Sequence, residues 1–268
     1  MKIAFVGKGG SGKSSVSWLA VKTLESMGVP TLAIDADHNM DLTSNLGINP
    51  DHTPRMQASE QELLNHVGAS TCCDNEDHKH EQKLQSFSLT PMDDYTKSIC
   101  TTISPSLSLI NIGLGSPEVL FQSKCAHGLS GPLKYYLGFF DEQDGAVIVD
   151  SVAGADMLSY GLYAGVDAVI GIVEPHRNSI KVFEQIQDIC RKTMIPCFAV
   201  VNKPTNNTFY EDFIKRYRAI ILGEIPLDDG ILHYDFEKVG KDTKEKAKSL
   251  IAALQKIKPR GSLTSLTK

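Results

Sequence analysis

Eight consecutive residues, Gly7-Lys8-Gly9-Gly10-Ser11-Gly12-Lys13-Ser14, carry the most specific chemistry in the chain. They follow a strand-like run, Lys2 to Val6, and open a helical stretch, with the spacing GxxxxGK[ST]. Glycines there let the backbone turn its N–H groups onto phosphate oxygens, and the start of a helix adds the positive end of its dipole. Lys13 would neutralise β- and γ-phosphate charge, and the Ser14 hydroxyl is placed to meet Mg²⁺. The expected phosphate site is Gly9, Gly10, Ser11, Gly12, Lys13, Ser14 and Ser15; the bland alternative is an ordinary glycine-rich turn. The 6 cysteines are too sparse for a secreted disulfide scaffold, so they read as thiols or metal ligands. Two groups stand out. Cys125-Ala126-His127 places a thiolate and an imidazole two residues apart. Cys72, Cys73, His78 and His80 lie among acids, but adjacent cysteines rarely reach one tetrahedral ion, so that group reads as a solvated insertion.

These groups need a scaffold, and the sequence supplies one. The chain has 268 residues, 41% hydrophobic and 22% charged, which excludes disorder, collagen and coiled coil. No apolar run approaches the roughly 20 residues that cross a bilayer, so the chain is expected to be soluble and cytoplasmic. Strands are expected near Lys2 to Val6, Thr31 to Ile34, Ser108 to Ile112, Ala146 to Val149, Ala168 to Val173, Phe198 to Val201 and Ala219 to Leu222. Most are continuously apolar, as buried parallel strands are. Helices are expected at Lys13 to Met27, Asn178 to Lys192 and Phe209 to Tyr217. The alternation predicts an α/β fold, a doubly wound and mostly parallel sheet flanked by helices, as one domain over 1–268. It lapses over 66–102, read as an irregular insertion. A C-terminal amphipathic helix is expected at about 243–258, its apolar stripe packed on the sheet. Residues 241–268 carry eight Lys or Arg against two acids, leaving −11 for the rest of a chain whose net charge is −5. That overall balance argues against a general nucleic-acid partner.

Lys8 makes the loop more particular, because a lysine directly after the first glycine is not needed to bind phosphate. In the form KGGxGKS the loop resembles the deviant Walker A group of P-loop ATPases, which includes the MinD, ParA and nitrogenase iron proteins. The resemblance runs from Met1 to about Asp229 apart from the insertion, and implies a P-loop NTPase fold and an ATP-dependent homodimer. In that family the extra lysine reaches the nucleotide of a second subunit, the role implied for Lys8. Asp37, in Asp35-Ala36-Asp37, matches the carboxylate that orients the attacking water. Asp41 falls on a switch I aspartate. Asp150 matches the aspartate that holds Mg²⁺ with Ser14. Asn202 resembles the asparagine that reads adenine, and Pro226 lies in a segment resembling the one that closes over the base. ATP/ADP and Mg²⁺ are the implied cofactors.

Within that group, Lys2 to Ser14, Leu32 to Gly47 and Gly165 to Ser179 resemble the nickel-handling ATPases that mature carbon monoxide dehydrogenase. Those enzymes carry Cys-x-Cys at the dimer two-fold, where this chain has Cys125 and His127. The replaced second cysteine leaves the metal's identity open. One Cys and one His from each of two protomers would give a Cys₂His₂ shell suited to Zn²⁺ and to Ni²⁺; the alternative is an incidental pair on a surface loop. The implied function is a metallochaperone-like maturation factor for a client such as carbon monoxide dehydrogenase. The alternative is a spatial-positioning switch of the MinD/ParA kind, which binds a membrane or a partner protein and carries no metal. The terminal helix is the feature that supports it, although its stripe lacks the aromatics of a membrane anchor. An iron-sulfur electron carrier is disfavoured, because Ala153-Gly154 follows Asp150 without a cysteine.

Overall fold

The computed structural model describes residues 1–59, 62, 63, 66, 86–112, 131–141, 145–154 and 165–260. Eight strands form one sheet: β1 Lys2–Gly7, β2 Thr31–Asp35, β3 Cys100–Ser104, β4 Leu107–Asn111, β5 Ala146–Asp150, β6 Ala168–Val173, β7 Cys197–Asn202 and β8 Ile221–Ile225. Their spatial order is β3-β4-β2-β5-β1-β6-β7-β8. Every neighbouring pair is parallel except β3 with β4. The sequence-based expectation of a doubly wound, mostly parallel α/β sheet therefore holds.

The central strands are apolar throughout because both faces are covered. In β1, Ile3 and Phe5 enter the core on one side while Ala4 and Val6 enter the other. The first side is closed by α1, Lys13–Ser26, and by the terminal helix, Lys241–Leu254. The terminal helix begins two residues before the expected start and stops four before the expected end. Its stripe of Ala247, Leu250, Ile251 and Leu254 is at most 2% exposed. The opposite side is closed by a helix at Gly131–Phe139 and by Arg177–Lys192, through Leu133, Tyr136, Leu137, Ile186 and Cys190.

Two expectations are corrected. The segment 66–102 is not irregular throughout: a helix at Asp94–Ile99, capped by the Asp93 side chain on the Thr96 N–H, leads into β3. Edge strand β3 pairs on one side only and is mostly half-buried, so Cys-Thr-Thr-Ile-Ser lacks the apolar run that marks the inner strands. The last strand is displaced from Ala219–Leu222 to Ile221–Ile225, because Arg218–Ile220 closes a 3₁₀ turn first. The Cys125/His127 pair lies outside the described residues, as does the Cys72/Cys73 group.

Candidate active site

The chain leaves β1 toward β2 on one side and later returns through β6 on the other, so a crevice opens at the carboxyl ends of these strands. Gly7, Asp35, Asp150 and Asn202 are the last residues of β1, β2, β5 and β7. Loop 8–12 crosses this end and feeds α1. Gly12 serves as the helix N-cap at φ +86°, with no side-chain cap and no acid in the first turn. The first amides of α1 are thus left open to an anion. A Cβ on Gly12 would lie 2.2 Å from Asn202 Nδ2, so glycine is required both by conformation and by space.

Gly9, Gly10, Gly12, Lys13, Ser14 and Ser15 line a cleft of about 390 Å³ with Asp37 and Asp41. The structure brings these expected residues together. Asp41 opens a short helix, α2, at Asp41–Asn45. Asp35 holds that helix: its Oδ2 accepts from the Thr43 N–H and the Thr43 hydroxyl, each at 2.7 Å. Its Oδ1 accepts from the Asp37 N–H at 3.3 Å, which links the expected water-orienting carboxylate to the sheet. The Lys8 ammonium donates to its neighbour's carbonyl, Gly9 O, at 3.0 Å.

Two acids lie side by side beneath the loop, since Asp35 and Asp150 are register partners in β2 and β5. Both are fully buried. Burial pushes Asp150 up to about 7, and the Asp35 charge adds to the rise against the Ser14 hydroxyl, Lys13 and the Ser17 hydroxyl. Burial likewise pushes Asp35 up to about 6, against its bonds from Thr43 and Asp37. Ser17 donates to Asp150 Oδ1 at 3.1 Å, while the buried Oδ2 accepts no hydrogen bond among the described residues. A buried carboxylate oxygen left unmatched, next to a serine hydroxyl and below a phosphate-type loop, fits a hard divalent cation such as Mg²⁺. Among the described residues, no three His, Cys, Asp or Glu side chains assemble as ligands for a further metal ion.

Asn202 ends β7 and lies against the phosphate loop at Gly12. It is 4% exposed and its amide donates to the Ser11 carbonyl at 2.8 Å, bracing the loop. Pro226 follows β8 and is half-buried, and it is not among the cleft-lining residues. Sequence reasoning missed Asn39, Asn45, Ala153, Lys203 and Tyr234, all of which line the cleft. Lys203 adjoins the expected Asn202 and ion-pairs with Glu174 at 3.0 Å, so its neighbour was the available signal. Tyr234 had none. Lys203 and Tyr234 share a left-handed backbone, at φ +52° and +51°, with Met40, the N-cap of α2, and with the exposed Met194, which is not among the cleft-lining residues.

Residues 3–239 match the CobQ/CobB/MinD/ParA nucleotide binding domain family, CbiA. The chain is 27% identical over 273 residues to the carbon monoxide dehydrogenase accessory protein CooC of Rhodospirillum rubrum, covering 95% of this chain and 96% of that one. It superposes on a plasmid partition protein of Borrelia burgdorferi bound to AMPPNP with a TM-score of 0.65 at 18% identity, covering 95% and 98% of the two chains. The septum site-determining protein MinD of Pyrococcus horikoshii, complexed with Mg-ADP, gives a TM-score of 0.61 at 16% identity, covering 95% and 96%. Phosphate-type loop, cleft and family match agree: the chain belongs to the CobQ/CobB/MinD/ParA nucleotide-binding family and is an ATPase with the P-loop NTPase fold.

Proposed function

We propose that the chain is a nucleotide-gated homodimer that handles nickel or zinc for a client metalloenzyme of the carbon monoxide dehydrogenase kind. The observation that carries this reading is the relationship to the Rhodospirillum rubrum accessory protein along nearly the whole length of both chains. The cleft supplies the rest. ATP phosphates rest on the open amides of loop 8–12 and α1, and Lys13 offsets their charge. Ser14 and Asp150 hold Mg²⁺, which when bound supplies charge neutralisation at the phosphates. Asp37 orients the water that attacks the γ-phosphate, held in place through its N–H on Asp35. Lys8 projects from the loop into the cleft of the second copy. This chemistry is mostly positioning, so turnover is slow until a client engages. Cys125 and His127 of the two copies receive the transported metal, and closure of the dimer brings them together.

The rival reading, a positioning switch that binds a membrane or partner protein without metal, is favoured by the same family match, which spans MinD and ParA. The apolar stripe of the terminal helix speaks against a membrane form that uses this helix, since the stripe is already in the core. Titration of Ni²⁺ and Zn²⁺ into apo, ADP-loaded and ATP-loaded protein separates the two readings. The maturation reading expects affinity that changes with nucleotide and drops at least tenfold in Cys125→Ala and in His127→Ala. Absence of binding, or affinity indifferent to nucleotide and to both substitutions, removes it and leaves the switch.

A further inference from the structure

Among the described residues that line the cleft, Tyr234 brings an aromatic ring with the chemistry to meet the nucleoside half of the substrate. Tyr234 follows a short helix, Asp229–Leu232, and its hydroxyl lies 3.2 Å from Ser15 Oγ, in the first turn of α1. Its ring is fixed from behind by an edge contact with Trp18, centroids 5.5 Å apart, and Trp18 itself is 1% exposed. The backbone is held in the left-handed region at φ +51°. Tyr234 lines the cleft together with Gly12, Ser15 and Lys203.

We infer that the Tyr234 ring packs against the ribose and base of the bound nucleotide, making Tyr234 a specificity-determining residue that distinguishes a nucleotide from an inorganic polyphosphate. The inference rests on the reading of this cleft as the ATP site and on nothing about the transported metal. An aromatic face suits the task because stacking on a base is favourable without reading its edge. The hydroxyl contact to Ser15 keeps the ring in register with the phosphate loop, so both halves of the ligand are judged from one helix turn.

Binding of ATP, ADP and inorganic tripolyphosphate to wild type, Tyr234→Phe and Tyr234→Ala, with Mg²⁺ and by calorimetry, tests this. Tyr234→Ala is expected to raise the Kd for ATP and ADP about tenfold while leaving that for tripolyphosphate within about twofold, and Tyr234→Phe to stay near wild type for all three. Equal weakening of tripolyphosphate and ATP in Tyr234→Ala would mean the ring only buttresses the loop through Ser15, and would overturn the inference. Unchanged ATP affinity in Tyr234→Ala would overturn it as well. If Tyr234→Ala is too unstable to assay, Tyr234→Leu replaces it: retained apolar bulk with lost ring should still weaken ATP more than tripolyphosphate, and equal effects refute the inference. Failure of the wild type to bind ATP would instead defeat the ATP-site reading.

Discussion

Asp150 concentrates the electrostatics of the site in one side chain. Its folded-state value near 7 lies above the ordinary 3.8, so the native state holds this proton more tightly than the unfolded chain does. Its contribution to stability is complete below about pH 4 and is lost as pH rises through about 7 in protein free of metal and nucleotide. Asp150→Asn keeps the shape and removes the buried charge. In EDTA, the variant is expected to be more stable than wild type at about pH 8, by at most a few kcal/mol, with the gap shrinking toward about pH 5. Urea midpoints at the two pH values measure this; a gap that is constant with pH would contradict it. In return the variant should lose Mg²⁺-dependent hydrolysis. The residues of this site differed in how far the sequence disclosed them. The loop and its serine were legible because phosphate binding permits few alternatives in that spacing. Asn202 was placed on the correct strand end, yet its amide turns inward to Ser11, and only the fold reveals that direction. Tyr234 carried no motif, since its approach to Ser15 from the far end of the chain is made only by the fold.

At the scale of elements, the inner strands could be read because burial on both faces forces continuous apolar runs, as in Ala146–Asp150 and Ala168–Val173. The edge strand Cys100–Ser104 escaped because pairing on one side leaves its pattern half polar. The terminal helix shows how a basic amphipathic sequence can serve packing. Its lysines form short ion pairs along the solvent face, Lys246 with Asp242 and Lys248 with Glu245, while the stripe closes the core over α1 and β8. Leu250→Ala or Ile251→Ala should therefore destabilise the fold by about 2–5 kcal/mol, the range for large-to-small changes in a packed core. Chemical denaturation measures it. A cost below about 0.5 kcal/mol, as for a surface residue, would mean that the helix is not an integral part of the core.

At the scale of the whole molecule, the cleft lies open at one end of the sheet, and the loop that forms it carries Lys8, whose ammonium meets only the adjacent Gly9 carbonyl among the described residues. The expected resolution is a second copy that covers the cleft, so that nucleotide occupancy and assembly become one equilibrium. The linkage would let events at the phosphates govern Cys125 and His127, which lie far along the chain. Association of two chains is therefore the property on which this coupling turns. Light scattering after size exclusion, on Asp37→Ala protein loaded with ATP and Mg²⁺, measures it most directly. The predicted result is a particle of twice the 29.3 kDa chain mass with ATP, a single chain with ADP, and a single chain with ATP when Lys8→Ala is added. One mass in every nucleotide state, or an ATP-dependent dimer indifferent to Lys8→Ala, would contradict the account.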